Sequence, residues 1–229
     1  MLDIPKILSS DQVDDLRQRI EAGRWTSGEA SAGEIAGMVK RNRQLDAHST
    51  VARQASEQVL NAVRQNSDFM SASLANRFYP PMFNRYKSEE TYGLHIDNSM
   101  MRVAPDQPLL RTDLSATLFL TDADQYEGGE LVVHTRFGEQ EIKLDAGDLI
   151  LYSSSSLHQV NPVTAGERVS AVFWVESLVP EDDRRDVLFE LDCSIRILRS
   201  QVSNNALAKA EITRLTGVYH NLIRLWSRR

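Results

Sequence analysis

The chain has 229 residues, enough for one medium domain with extensions or two small ones. With 41% apolar residues it can bury a substantial core, and a formal net charge of −6 speaks against bulk nucleic-acid binding, which shows as a basic domain. A single cysteine, Cys193, excludes an intrachain disulfide, and without an apolar run of export or membrane length the expectation is a cytoplasmic protein that does not enter the membrane.

Ser9-Ser10-Asp11-Gln12 reads as a helix start, followed by Val13, Leu16 and Ile20 at helical spacing and stopped by Gly23. Trp25 to Ala32, rich in Gly and Ser, reads as a loop. Val39 to Asp46, with Lys40, Arg41, Arg43 and Gln44, reads as a solvated connector; the alternative is a basic lip on a cleft. Val51, Ala55, Val59, Ala62 and Val63 form a helical stripe between Thr50 and Asn66. Pro80-Pro81 breaks the pattern, since proline cannot donate to a sheet ladder. Short strands are expected at Met82 to Tyr86, Thr91 to Asp97, Leu114 to Thr121, Glu130 to Thr135, Glu139 to Leu144, Leu149 to Tyr152 and Arg168 to Glu176, with a loop from Met100 to Arg111. So many short strands with close turns point to a β-sandwich or barrel of jelly-roll type. From Glu181 onward the texture is helical, with Asn204-Asn205 dividing two helices. Their apolar stripe, from Val187 to Trp226, is read as core against the barrel, with a dimer face as the alternative.

The candidate site begins at Tyr92-Gly93-Leu94-His95-Ile96-Asp97. In an extended strand residues i and i+2 share a face, so His95 and Asp97 can address one metal ion. His158 offers a third ligand from opposed strands of the same sandwich. Two histidines and a carboxylate make the facial triad of non-haem Fe(II) oxygenases, which leaves coordination positions open. Zinc held by the same types serves hydrolysis, so the ligands alone leave the metal open. Arg168 discriminates: its guanidinium pairs bidentately with the carboxylate of a 2-oxo acid, a partner a hydrolase does not need. The bland reading of Arg168 is a surface ion pair beside Glu167. His48 and His220, in helical context, read as packing or surface residues, and His134 is the reserve ligand.

With these residues in view, the chain resembles the Fe(II)- and 2-oxoglutarate-dependent dioxygenases of the prolyl/lysyl hydroxylase group, and within them the bacterial PKHD-type hydroxylases, the PiuC-like group associated with iron uptake. The likeness is carried by His95-Ile96-Asp97, by Arg111-Thr112-Asp113-Leu114-Ser115-Ala116-Thr117-Leu118-Phe119-Leu120, by Tyr126-Glu127-Gly128-Gly129-Glu130-Leu131, by Ser155-Ser156-Leu157-His158, and by Pro162-Val163-Thr164 with Arg168. It extends into the helical tail. The resemblance implies a double-stranded β-helix (jelly-roll) core in an α+β, mainly β fold, with Fe(2+) on His95, Asp97 and His158. It also implies 2-oxoglutarate anchored by Arg168, Tyr86 beside the cosubstrate, Tyr92 lining the same pocket, and L-ascorbate as reductant. Glu127-Gly128-Gly129-Glu130 is assigned a structural turn.

The implied partition is an N-terminal helical support region (1–76), the dioxygenase domain (77–177) and a C-terminal helical region (178–229). The expected reaction couples oxidative decarboxylation of 2-oxoglutarate by O2, giving succinate and CO2, to hydroxylation of an unactivated C–H bond. The primary substrate is not legible; the iron-uptake association directs attention to a siderophore-like molecule or a residue of an uptake protein. Met100 to Gln107 and the basic stretch near Arg41 are where its contacts are expected, and a homo-oligomer is left open. The rival from another class is a cupin-like metal or small-molecule binder or sensor without turnover.

Overall fold

The computed structural model describes residues 1–29, 37–202 and 205–228. In chain order the strands are β1 (Leu2–Ile4), β2 (Trp25–Ser27), β3 (Lys40–Arg41), β4 (Arg43–Leu45), β5 (Ala75–Phe78), β6 (Met82–Lys87), β7 (Thr91–His95) and β8 (Met100–Met101). They continue as β9 (Leu110–Arg111), β10 (Leu114–Phe119), β11 (Tyr126–Gly128), β12 (Leu131–Thr135), β13 (Gly138–Ile142), β14 (Leu149–Ser153), β15 (His158–Val160) and β16 (Val163–Ser177). The α-helices are α1 (Ser10–Glu21), α2 (Thr50–Gln65), α3 (Ser67–Ser73), α4 (Asp182–Gln201) and α5 (Ala206–Trp226).

The larger sheet runs β1-β14-β10-β16-β6-β4-β2, with β11 and β5 also paired to β16. The smaller runs β13-β12-β15-β7-β3, and all pairings are antiparallel. Alternation along each strand explains the layering. On β10, Leu114, Ala116 and Leu118 face one side; on β16, Val169, Ala171, Phe173 and Val175 do the same. They form one core with Val13, Leu16 and Ile20 of α1 and Ala55, Val59 and Val63 of α2. The intervening residues face the smaller sheet, where Tyr86, Phe119, Ile150 and Tyr152 pack with Leu131, Val133 and Val160. The large sheet is thus covered by helices on one face and by the small sheet on the other.

The α1 start carries a reciprocal capping box between Ser9 and Gln12, and α2 is capped by Ser49. His48 stands in the turn before α2, outside the helical setting expected of it. Asn66 closes α2 and caps α3, a helix the apolar pattern did not announce, by accepting from Phe69 N at 2.8 Å.

Several boundaries differ from expectation. Trp25–Ser27 is a strand where a loop is expected, because it pairs with β4; Ala30 to Ala32 of that stretch lie outside the described residues. Val39 to Asp46 is largely strand and Lys40, Asn42 and Gln44 are buried, so the solvated-connector reading is wrong. Met100 to Arg111 closes on itself as the β8–β9 ribbon. Thr112 ties its end by donating to Asn98 O at 2.5 Å and to Ser99 O through its amide at 3.0 Å. β16 begins at Val163, five residues before its expected start, because Tyr126–Gly128 gives its first turn of pairing partners.

The tail helices pack beside α3 rather than on the sheets. Leu188, Tyr219, Leu222, Ile223 and Trp226 close a satellite cluster over Leu74 and Val179. Ser71 donates to Asp192 at 2.8 Å, and Arg185 is buried with its guanidinium on the carbonyls of Val179 and Pro180, both at 2.7 Å. Asn205 caps α5; Asn204, the other half of the expected divider, lies outside the described residues. Among the described residues no helix is long and apolar enough to cross a membrane.

Candidate active site

His95 ends β7 and His158 opens β15, and the two are cross-strand partners. The histidines therefore come from neighbouring strands of one sheet, where opposed strands were expected. Asp97 follows two residues past the end of β7. One ligand atom from each of the three lies within 4.8 Å of the others, the only such group of His, Cys, Asp and Glu among the described residues. His134, the reserve candidate, is on β12 with Nδ1 3.6 Å from Glu139 and takes no part.

The imidazole tautomers follow from the backbone. His95 Nδ1 is 2.8 Å from Gly93 O and His158 Nδ1 is 3.0 Å from Ser156 O. A carbonyl only accepts, so each Nδ1 carries the proton and each Nε2 keeps its lone pair for the shared centre. His158 Nε2 is 3.7 Å from Asp97 Oδ2. Burial, and then the neighbouring His158, push the His95 imidazole down to about 4, so it stays neutral and ligand-competent at physiological pH. Tyr92 stacks on His95 with ring centroids 3.6 Å apart, and Tyr152 meets His158 edge-on at 5.3 Å. Asp97 Oδ2 accepts from Ser115 Oγ at 2.6 Å, and Ser115 Oγ lies 2.8 Å from Ser154 Oγ.

The triad opens onto a cleft between the sheets. Arg168 lies in its wall and is 1% exposed, which excludes the surface ion pair. Glu167, on the other face of the strand, instead takes Arg17, Arg85 and Lys87. Nη1 of Arg168 donates to Ser170 Oγ at 2.9 Å, Nε has no acceptor, and no carboxylate of the described residues lies in ion-pair range. The ring centroids of Tyr86 and Phe119 lie 5.3 and 5.2 Å from its guanidinium carbon. Tyr86 is the cross-strand partner of Arg168 on β6; its phenol is pushed up by burial against an opposing pull from Arg168. A buried cation without a counter-charge is costly, and the donor set fits an organic carboxylate.

The turn assigned a structural part has one. Gly128 and Gly129 both take positive φ, and a Cβ on Gly129 would press on Arg168 Cδ at 3.1 Å and Val163 Cγ2 at 2.8 Å. The missing side chain makes room for the arginine stem.

Ser115, Ser154, Asn84 and Tyr152 are site residues that the sequence does not single out, though Ser115 sits inside a motif, and Lys40 enters there only through the basic-lip alternative. Lys40 lines the cleft with Nζ 5.1 Å from the Tyr92 ring, and burial, offset by Asp97, pushes its amine down to about 8. The basic-lip reading therefore holds for Lys40, while Arg41 is exposed. Met101 of the ribbon also lines the cleft, in the segment expected to meet substrate. The available signal was a polar residue at alternate positions in an apolar strand, as at Ser115 and Thr117.

Comparison with known proteins gives two family matches. Residues 81–176 match the 2OG-Fe(II) oxygenase superfamily, and residues 182–228 match the PKHD-type hydroxylase C-terminal domain. A PKHD-type hydroxylase of Pseudoalteromonas atlantica is 49% identical over 224 residues, 98% of this chain and 97% of that one. One from Shewanella baltica is 47% identical over 227 residues, 99% of each chain. Among solved structures, a prolyl hydroxylase from Trichoplax adhaerens, in complex with a hypoxia inducible factor oxygen degradation domain peptide fragment, aligns with a TM-score of 0.58 at 15% identity. The alignment covers 82% of this chain and 86% of that one, a likeness of fold.

Proposed function

This chain belongs to the PKHD-type hydroxylases, 2-oxoglutarate-dependent enzymes of the 2OG-Fe(II) oxygenase superfamily, and on that premise we propose that His95, Asp97 and His158 hold the Fe(II) and that Arg168, flanked by Tyr86, anchors 2-oxoglutarate. The observation that carries the assignment is one cleft holding both a convergent two-imidazole, one-carboxylate set and a buried guanidinium without a protein counter-charge. We read the two facing sheets as a double-stranded β-helix spanning residues 77–177, supported by 1–76 and extended by 178–229.

Iron with 2-oxoglutarate and O2 supplies the oxidising power that yields succinate and CO2 and hydroxylates a C–H bond. The chain's own residues prepare that chemistry. The Gly93 and Ser156 carbonyls hold the two imidazole protons on Nδ1. Ser115 fixes the carboxylate of Asp97. Arg168, steadied by Ser170, orients the far carboxylate of the cosubstrate, and Tyr86 and Phe119 keep water from that end. L-ascorbate serves as reductant of the centre, and the primary substrate is a siderophore-like molecule or a residue of an iron-uptake protein. O2, 2-oxoglutarate and that substrate are the partners of a cytoplasmic enzyme, with self-association through the tail as the oligomeric alternative.

One anaerobic titration tests the reading. Adding Fe(II) and then 2-oxoglutarate should produce a weak visible charge-transfer band that O2 bleaches as succinate appears, and His158→Ala should abolish both. Metal binding without the band or succinate would identify a cupin-like binder or sensor instead.

A further inference from the structure

Asn84 lies on β6 between Met82 and Tyr86, and all three line the cleft. Its cross-strand partner on β16 is Ser170, the residue that holds Arg168. Asn84 therefore stands one step along the strand from the Arg168–Tyr86 pair, on the side of Met82 and Val172. The residue is 2% exposed, and its Oδ1 accepts no hydrogen bond from any described residue. The neighbour across β4, Gln44, does not answer it: Gln44 Nε2 is itself buried without a partner. A sealed, unanswered carbonyl is expensive to fold, and a side chain of leucine shape would fill the position without that cost.

We propose that Asn84 is a specificity-determining residue that binds an amide group of the primary substrate, next to the C–H bond to be hydroxylated. The inference rests on the reading of the cleft as an oxygenase site. A carboxamide presents an acceptor and two donors. The carboxylates of 2-oxoglutarate only accept, so they could meet Nδ2 but leave Oδ1 unanswered. A ligand amide carries both N–H and C=O and can. That chemistry is shared by a peptide backbone and by a small amide, and the probes separate the two.

The experiment uses the anaerobic holoprotein loaded with Fe(II) and 2-oxoglutarate and reads ligand binding by saturation-transfer NMR titration. The probes are N-acetylalanine N′-methylamide as a blocked peptide unit, its double-ester analogue methyl O-acetyl-lactate, and isobutyramide with methyl isobutyrate as the small-molecule pair. A site built for an N–H rejects an analogue that lacks it. At least one amide should bind wild type about tenfold or more tightly than its ester, and the favoured pair indicates peptide or small molecule. Asn84→Leu, with Asn84→Ala as the second variant should leucine not fold, should reduce that preference to within about twofold while the Fe(II)–2-oxoglutarate band titrates as in wild type. No amide preference in wild type, or a preference that survives both substitutions, overturns the assignment. So does a tenfold or greater loss of 2-oxoglutarate affinity in the variants, which would make Asn84 a cosubstrate residue. A band absent from wild type itself would instead defeat the oxygenase reading, so the two failures are distinguishable.

Discussion

The hydroxyl of Ser115 donates to Oδ2 of Asp97 at 2.6 Å. Because that proton is committed to the carboxylate, the 2.8 Å contact between Ser115 and Ser154 must be donated by Ser154. A two-hydroxyl chain therefore fixes the carboxylate's rotation, and Asp97 needs it, since it sits beyond the last paired residue of β7. Ser115→Ala should weaken Fe(II) binding by roughly 10–100-fold, the usual cost of losing a group that orients a metal ligand. Fe(II) titration checks this, and an unchanged affinity would show that Asp97 is held by other means.

Arg168→Met separates function from stability. A lost partner in a buried charge pair costs about 3–5 kcal/mol, so at about 1.4 kcal/mol per tenfold the 2-oxoglutarate requirement should rise by roughly two to three and a half orders of magnitude. Iron affinity should hold, since Arg168 is not among the converging ligand atoms. The ligand-free protein should be no less stable, because the substitution removes a buried cation that has no acidic partner among the described residues. Melting curves with and without 2-oxoglutarate read both effects. A 2-oxoglutarate-induced shift equal to wild type would exclude Arg168 as the anchor.

The metal-free protein should lose stability in acid through His95. Its folded value of about 4 lies below the ordinary 6.5, first through burial and then through His158. Between those two values the unfolded chain binds the extra proton and the folded chain does not, so stability rises with pH across that window. The contribution is complete above about 6.5 and disappears as pH falls to about 4. Urea unfolding of wild type and His95→Gln at several pH values measures it. Identical pH slopes for the two would refute it.

Leu188 tests the tail. It is fully buried between α4 and the Leu74–Val179 patch. Leu188→Ala should cost about 2–5 kcal/mol, as large-to-small core substitutions do. Removing the chain from Glu181 should cost more, since Arg185 also leaves the Val179 and Pro180 carbonyls. A chemical denaturation midpoint unchanged by Leu188→Ala would mean that the tail is not coupled to the rest of the fold.

What was legible in the chain divides along physical lines. The helical stripes at Val13 to Ile20 and Val51 to Val63 announce themselves because burial on one face repeats at the helical period. The strands around the site are legible because polar and apolar residues alternate, and His95, Asp97, His158 and Arg168 carry side chains whose chemistry is specific. Lys40, Asn42 and Gln44 read as solvated because composition cannot tell a polar residue in water from one buried in the fold. α3 was missed because seven residues are too few to show a period. Ribbon β8–β9 depends on Thr112 meeting Asn98 and Ser99, a contact between segments that no local pattern records. The satellite packing of the tail likewise depends on which surface lies within reach.

The alternation of β6, β10, β14 and β16 between a helix-side core and a cleft-side wall has a historical consequence. Val169 and Ala171 serve the helix-side core alone, Arg168 and Val172, interleaved among them, line the cleft, and Phe173 touches both. A substitution at Arg168 or Val172 removes no member of the helix-side core. Over time the cleft wall can thus change by single-residue steps while the His95, Asp97 and His158 set and the helix-side core stay in place.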